Sequence, residues 1–181
     1  MKTLGIFRHA KSDWNDARAR DFDRPLNARG RKGAALMGRH INSYGMRWGL
    51  IIASPAVRVA ETIEVASKAA GSLVPVIWDR RIYLATSATL LDLLHEQQGN
   101  PATIMMIGHN PGLEDLIFDL VPDDNSSPLR DLVEDKFPTA TFAVLELDVD
   151  RWADVTESRA RLVHLTRPRD LDPDLGPEPI D

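Results

Sequence analysis

Two histidines and two arginines occupy the positions at which this sequence is best suited to chemistry. Each follows closely on a short apolar run that is typical of a buried strand. The runs and their polar residues are 4–7 with Arg8 and His9, 50–53 with Arg58, and 104–107 with His109. Because the carboxyl ends of parallel strands share one edge of a sheet, we expect these four side chains to converge there.

Such a group is suited to moving a phosphoryl group. A neutral imidazole is a good nucleophile near neutral pH when a hydrogen bond holds its other ring nitrogen, which makes His9 the candidate nucleophile. Arg8 offers a fixed fork of donors that matches one edge of a phosphate. Arg58 lies in the first turn of a predicted helix, where its side chain leans toward the strand edge and the helix N-terminus favours an anion. His109 precedes a second helix start and can donate to the same phosphate.

The elements that must position these residues alternate along the chain. The pattern predicts strands at 3–7, 50–53, 74–78, 103–107, 141–147 and 161–165. It predicts helices at 27–44, from the cap Ser54 to about 70, at 87–97, and from the cap Asn110 to about 120. Residues 122–138 are expected to form a surface excursion. The alternation predicts an α/β fold, a three-layer α/β/α sandwich around a mostly parallel sheet.

Length and composition set the domain organisation. The 181 residues suit a single domain with one well-buried core, which we place at 1–167. The segment 168–181 carries four prolines and is predicted to be an extended or disordered tail. The net charge of −5 argues against a nucleic-acid-binding protein, which would show a basic face.

Missing features exclude several classes of function. The chain contains no cysteine, which rules out disulfides, thiolate metal sites and cysteine-dependent phosphatases. The histidines outside the candidate site show no metal-ligand spacing, so we expect no metal. The sequence shows no signal-peptide pattern and no long apolar run, so we expect a soluble cytoplasmic protein that does not bind a membrane.

Short motifs in a fixed order carry a family resemblance that spans residues 4 to about 171. They are Arg8 to Asn15, Arg24-Pro25-Leu26-Asn27 with Gly30, Ser54 to Arg58 with Glu61-Thr62, Gly108 to Gly112, Phe137-Pro138-Thr139, and Pro168-Arg169-Asp170-Leu171. Through these motifs the chain resembles the histidine phosphatase superfamily, which has the phosphoglycerate-mutase-like fold. Within the superfamily it is most similar to the SixA-type phosphohistidine phosphatases.

The resemblance implies a role for each matching residue. His9 would be the nucleophile that becomes phosphorylated, while Arg8, Arg58 and His109 would hold the phosphoryl group. Arg24 and Asn15 would contribute further substrate contacts. The resemblance also implies a phosphatase without metal or other cofactor. Its substrate would be phosphohistidine on a signalling protein of a phosphorelay.

One departure from the family pattern concerns the general acid. Relatives that act on alkyl phosphates carry a Glu or Asp to protonate the leaving oxygen, whereas this chain has Leu84 where an acid is expected. Glu114 and Asp13 are the nearest substitutes, but no motif places them, and an ordinary charge at a helix start or in a loop is the simpler interpretation. The nitrogen of phosphohistidine can leave from a protonated ring, so the missing acid favours a phosphoramidate substrate.

Two other functions stay open at this point. One is a phosphatase acting on small phosphate esters, and the other is a non-catalytic phosphate-binding or interaction module that keeps the cleft. Covalent phosphorylation of His9 followed by hydrolysis distinguishes an enzyme from a binding module.

Overall fold

A six-stranded sheet forms the centre of the computed structural model, which describes residues 1–72 and 75–177. The strands are β1 (Lys2–Arg8), β2 (Leu50–Ala53), β3 (Ile77–Trp78), β4 (Thr103–Gly108), β5 (Phe142–Leu147) and β6 (Ala160–Thr166). Their order across the sheet is β3-β2-β4-β1-β5-β6. The first four strands are mutually parallel, β5 is antiparallel to β1, and β6 is antiparallel to β5. The predicted mostly parallel sheet is therefore confirmed.

Helices cover both faces of this sheet, as the three-layer prediction requires. They are α1 (Ala28–Tyr44), α2 (Val57–Ala70), α3 (Ser87–His95), α4 (Gly112–Leu120), α5 (Pro128–Asp135) and α6 (Pro168–Leu171). Met37 of α1 and Val59 of α2 belong to the core on one face. Leu93 of α3 and Leu116 of α4 belong to the core on the other. None of the helices in the described part of the chain is long and apolar enough to cross a membrane.

The central strands are apolar throughout because both of their faces are covered. In β1, Leu4 and Ile6 enter the core under α3 and α4, while Phe7 enters the core under α1 and α2. This division follows from the period of two along a strand. Strand register then sets the candidate site, because Arg8 of β1 pairs with Gly108 of β4. His9 and His109 follow those two positions and so emerge side by side.

Helices α1 and α2 pack closely enough to require a glycine at their contact. A Cβ built on Gly38 of α1 would lie 2.3 Å from the carbonyl oxygen of Ala66 in α2. Real Cβ atoms do not approach an oxygen this closely, so any side chain here would force the helices apart. The contact sets the distance between the two helices at this point.

The prediction that Ser54 caps α2 is wrong. Helix α2 begins at Val57, and Ala56 occupies the N-cap position with no side-chain capping bond. Ala56 has extended backbone dihedrals, so the strand-to-helix turn is longer than the sequence pattern indicated. The Ser54 hydroxyl instead accepts a hydrogen bond from the Ala56 N–H at 3.2 Å and lies 2.8 Å from His109 Nε2.

The tail also differs from its prediction. Residues 168–177, expected to be extended or disordered, contain α6 and a 3₁₀ turn at Pro173–Leu175. Pro168 stands in the first turn of α6, where a missing N–H costs nothing. An ion pair of 2.9 Å joins Asp172 to Lys32 of α1, and Arg29 donates to the Gly176 carbonyl. Residues 178–181 of the predicted tail lie outside the described residues.

Three further boundaries depart from the sequence pattern. The third predicted strand is confirmed only at Ile77–Trp78, and its predicted start at Val74 lies outside the described residues. The predicted surface excursion at 122–138 contains α5, whose Val133 is buried. Helix α4 begins at Gly112, although the Asn110 side chain still accepts from the Glu114 N–H at 3.3 Å.

Candidate active site

A cleft of about 830 Å³ opens at the carboxyl edge of the parallel strands. All four residues that the sequence analysis expected to converge line it. His9 and His109 lie with their ring centroids 5.3 Å apart, and Arg58 contacts both rings. Both histidines and Arg58 are buried, so they face the cleft from its base.

Hydrogen bonding settles which nitrogen of His9 carries the proton. Nδ1 lies 2.7 Å from the carbonyl oxygen of Ala10, which can only accept, so Nδ1 is the protonated nitrogen. Nε2 therefore keeps its lone pair and accepts a hydrogen bond of 3.4 Å from Arg58 Nε. The ring is held in the tautomer that a nucleophilic Nε2 requires.

Electrostatics keep this imidazole neutral. Burial lowers the pKa of His9 to about 3 against the opposing effect of its bond to Ala10, and His109, Arg8 and Arg58 lower it further. His9 is thus unprotonated near pH 7 and available as a nucleophile.

His109 adopts the opposite tautomer. Its Nδ1 accepts from Arg58 Nη2 at 3.2 Å, so Nε2 carries the proton and donates to the Ser54 hydroxyl at 2.8 Å. Burial lowers the pKa of His109 to about 4, and the charge of Arg58 acts in the same direction while Asp21 opposes it. The position of Ser54 at the end of β2 thus orients His109 at the end of β4.

The pKa values of the two histidines lead to a prediction about pH. We expect the imidazole resonances of His9 and His109 to show no titration between about pH 5 and pH 8 in a nuclear magnetic resonance experiment. In the unfolded chain both rings take up protons near pH 6.5, so protons bind the unfolded state preferentially below that value. The free energy of unfolding should therefore fall as pH drops from about 6.5 toward the folded-state pKa values. Titration of either ring near pH 6.5 in the folded protein contradicts this prediction.

Arg8 and Arg24 complete the positive base of the cleft. Arg8 Nη1 donates to the Phe137 carbonyl at 2.8 Å, while its buried Nε has no hydrogen-bond partner within the described residues. Arg24 is buried, donates from Nε to the Ser12 hydroxyl at 3.0 Å and lies 3.5 Å from the centre of the Trp14 ring. The structure thus places Arg24 at the cleft, as its motif implied.

A buried threonine joins the nucleophile segment to helix α2. The Thr62 hydroxyl donates to the Arg58 carbonyl at 2.6 Å and accepts from the Ala10 N–H at 2.9 Å. Thr62 is fully buried, so water cannot replace either bond. The threonine links the backbone next to His9 to the backbone of Arg58.

We expect Thr62→Val to lower the free energy of unfolding by about 1–3 kcal/mol, because the Ala10 N–H is left buried without an acceptor. Valine keeps the shape of the side chain, so the loss isolates the hydrogen bonds. Urea denaturation of both proteins measures the change. Thr89→Val, which removes a hydroxyl from the exposed start of α3, is the control. Equal stabilities of the Thr62 variant and the parent protein would show that these bonds contribute nothing.

Sequence reasoning missed two residues of the cleft. Asp21, on the 3₁₀ turn Asp21–Asp23, accepts from Arg58 Nη2 at 3.1 Å and from the Tyr83 hydroxyl at 2.6 Å, and pairs with Arg24 at 2.8 Å. Tyr83 presents its ring edge-on to His109 with a centroid distance of 5.4 Å. Burial raises the pKa of Asp21, but the hydrogen bond from Tyr83 and the charge of Arg58 outweigh it and lower the pKa overall. The carboxylate is therefore ionised and lies against two arginines.

Three residues considered in the sequence analysis lie away from the cleft lining. Asn15 is exposed, and its backbone N–H donates to the Asp13 carboxylate at 2.8 Å, so neither residue reaches the base of the cleft. Glu114 accepts from the Asn110 side chain at 3.2 Å and is likewise absent from the lining. Burial raises the pKa of Glu114, with Asp115 adding to the effect and Arg8 opposing it. A family motif suggested Asn15 and short sequence separation suggested Glu114 and Asp13, but none of the three side chains lines the cleft.

The cleft is strongly positive although the chain is acidic. Among the described residues that line it, seven are arginine or lysine and a single one, Asp21, is acidic. The cations are Arg8, Lys11, Arg24, Arg29, Arg58, Lys136 and Arg169. Such an excess of positive charge in a partly buried cleft attracts an anionic ligand.

Over residues 1–72 and 75–177, no group of three or more His, Asp or Glu side chains is arranged to hold a metal ion. His40 and His164, which the sequence spacing left unrelated, do lie together, with their Nε2 atoms 3.0 Å apart. Their ring centroids are 5.2 Å apart and the rings differ in plane by 17°, so the two nitrogens face each other nearly head-on. This is the geometry of an N–H···N hydrogen bond.

Sequence comparison places the chain among known proteins. A family model described as the histidine phosphatase superfamily (branch 1) matches residues 4–83, the segment that contains Arg8, His9 and Arg58. An uncharacterized protein of Mycobacterium tuberculosis is 31% identical over 163 residues, covering 90% of this chain and 99% of that protein.

Solved structures extend the likeness over the whole domain. A chain from Agrobacterium tumefaciens assigned to the phosphohistidine phosphatase SixA is 28% identical with a TM-score of 0.77, covering 92% of this chain and 98% of that one. A second chain assigned to SixA, from Nakamurella multipartitia, is 26% identical with a TM-score of 0.79, covering 92% of this chain and 96% of that one. The chain belongs to the histidine phosphatase superfamily (branch 1), in its SixA-type group, and is a phosphatase.

Proposed function

We propose that this protein removes the phosphoryl group from phosphohistidine on a signalling protein of a phosphorelay, by way of a phosphohistidine intermediate at His9. The observation that carries the proposal is the geometry of His9. Its Nδ1 is bonded to the Ala10 carbonyl, so the Nε2 lone pair is available in a cleft shared with Arg58 and His109. An oriented, neutral imidazole among fixed positive donors is suited to attack on phosphorus.

The reaction then takes two steps. His9 Nε2 forms a bond to phosphorus while the bond from phosphorus to the substrate nitrogen breaks, and its electron pair stays with the departing imidazole. Water next attacks the phosphorus of phospho-His9, releasing inorganic phosphate and restoring the neutral ring. Arg8 and Arg58 stabilise the charge on the transferred group in both steps, and His109, whose Nδ1 accepts from Arg58, holds that arginine in position.

Phosphohistidine is favoured over phosphate esters because the described lining of the cleft holds no carboxylic acid that is able to donate a proton. Asp21 is the one carboxylate among the described lining residues. Its hydrogen bonds and the neighbouring positive charges keep it ionised. Glu114, whose pKa is raised, lies off the lining. An alkoxide needs a proton to leave, whereas a protonated imidazole leaves as a neutral ring.

A side-by-side time course tests the proposal. One substrate is a phosphotransfer domain carrying phosphohistidine, the other is an aryl phosphate, and the His9→Ala variant is the control. Fast His9-dependent loss from the domain with slow aryl turnover supports phosphohistidine as substrate. The reverse pattern would show a phosphatase of small esters, and turnover of neither would leave a binding module.

A further inference from the structure

Two large apolar side chains stand exposed at the mouth of the cleft. Trp14 is 72% exposed and Leu84 is 68% exposed, and both line the cleft above the buried histidines. They approach it from different parts of the chain, because Trp14 belongs to the loop after β1 and Leu84 follows the 3₁₀ turn Arg80–Ile82. Large exposed apolar residues grouped around a site are typical of a surface that another molecule covers.

The backbone of Leu84 adds a second, independent observation. Its φ angle is +54°, in the left-handed region that is strained for a residue with a branched side chain. Strain of this kind persists only where the surrounding structure enforces it, and it is concentrated at functional positions. The strained Leu84 carries an apolar side chain that is mostly exposed at the cleft mouth and belongs to neither core cluster.

Positive charge surrounds these apolar residues. Arg8, Arg24 and Arg58 are buried or nearly so at the base of the cleft. The other four cations, Lys11, Arg29, Lys136 and Arg169, are half-buried or exposed. One phosphoryl group engages the cations at the base, so the outer cations lie near whatever carries the phosphoryl group. Within the protein, Arg29 also donates to the Gly176 carbonyl and Arg169 lies 3.8 Å from the Asp135 carboxylate.

We propose that the cleft mouth is a docking surface for the protein that carries the phosphohistidine. The surface fits a partner face on which apolar side chains and acidic residues surround the phosphorylated histidine. This inference rests on the proposed function and adds the means by which the substrate is selected. Trp14 and Leu84 act as apolar anchors, and the outer cations contact the acidic residues.

A protein fits these features better than a small metabolite. A small phosphate bound at His9 Nε2 lies at the base of the cleft. Trp14 and Leu84, each about two-thirds exposed, would stay in contact with water. A folded partner that delivers its phosphohistidine to the base must cover the mouth and bury both anchors. Aromatic and apolar anchors at the centre of an interface contribute a large share of binding energy, and complementary charge around them accelerates association.

Two variants test the docking surface, each with a matched control. Leu84→Ser removes an anchor, and Ile77→Ser removes an equally apolar side chain that is 56% exposed on β3 and outside the cleft lining. Lys136→Glu reverses an outer charge. Its control, Arg159→Glu, reverses an exposed charge away from the cleft. The neighbouring Ser158 N–H donates to the carbonyl of Asp119, near the end of α4 that is farther from the cleft.

The assay measures steady-state turnover of three substrates: a phosphotransfer domain carrying phosphohistidine, free phosphohistidine and an aryl phosphate. We expect both cleft-mouth variants to raise KM for the domain about 10-fold, the scale of losing one interface anchor, with kcat unchanged. Turnover of the two small substrates should stay at the level of the parent protein, and both control variants should match the parent throughout. The kcat/KM for the domain should also fall with added salt, and less so in Lys136→Glu.

Failure of this inference is distinguishable from failure of the proposed function. If the parent protein hydrolyses phosphohistidine but both cleft-mouth variants keep its KM for the domain, there is no docking surface. Equal losses on all three substrates would place the two residues in the reaction itself and overturn the inference in the same way. If the parent protein hydrolyses neither the domain nor free phosphohistidine, the proposed function fails, and with it the substrate on which docking depends.

Discussion

Turnover of every phosphorylated substrate is expected to be abolished in His9→Ala, with a loss on the order of 10⁵-fold or more, the scale of removing the nucleophile from a hydrolase. The variant deletes the Nε2 that faces Arg58 at 3.4 Å in the cleft. The chain has no cysteine that could act as the nucleophile in its place. The loss should appear in kcat, since the cations that bind the phosphoryl group remain.

Rapid-quench labelling measures the same step directly. The parent protein mixed with phosphorylated substrate should carry an acid-labile phosphoryl group on His9, located by mass spectrometry of its peptides, and His9→Ala should carry none. His95→Ala is the matched control, because His95 lies outside the cleft lining and bonds to the Val155 carbonyl. Activity in His9→Ala near the parent level, or a phosphoryl group on another residue, contradicts the assigned role.

Arg58→Ala is expected to lower kcat/KM by at least about 100-fold, the scale of losing one preorganised charge donor. Arg58 is 3% exposed and is the residue that contacts both histidines. Its Nη1 also donates to the Asp21 carbonyl at 2.7 Å, which holds the 3₁₀ turn against the cleft. Arg58→Lys should recover little, since a single ammonium cannot reach His9, His109 and Asp21 together.

A spectroscopic readout separates the electrostatic effect of Arg58 from a structural one. The Arg58 charge is the second cause, after burial, of the low pKa of His109, so Arg58→Ala should raise that pKa in a nuclear magnetic resonance titration. Arg31→Ala, which breaks an exposed ion pair of 2.9 Å with Glu61, should change neither kcat/KM nor the titration. An unchanged His109 pKa together with parent-level turnover in Arg58→Ala contradicts its role.

Local patterns in the sequence were sufficient to predict the scaffold and the centre of the cleft. The apolar runs at 4–7 and 104–107 predicted buried strands, and the parallel register of those strands brings His9 and His109 together. The helix predicted at 27–44 is confirmed as α1, which an Asn27 side-chain cap begins and a left-handed Gly45 ends. These features depend on contacts between residues close in sequence or on strand alternation, both of which a single sequence displays.

The tertiary structure alone decided which side chains surround that centre. Asp21 meets Arg58 and Tyr83 across separations of 37 and 62 residues, and Ser54 meets His109 across 55. Asn15, adjacent to Trp14, turns out to solvent, although its motif implied a substrate contact. Such contacts depend on the path of loops and the direction of individual side chains, which no periodicity records. Alternation and register therefore determined where the reactive residues lie, whereas the packing of distant loops decided their partners and protonation states.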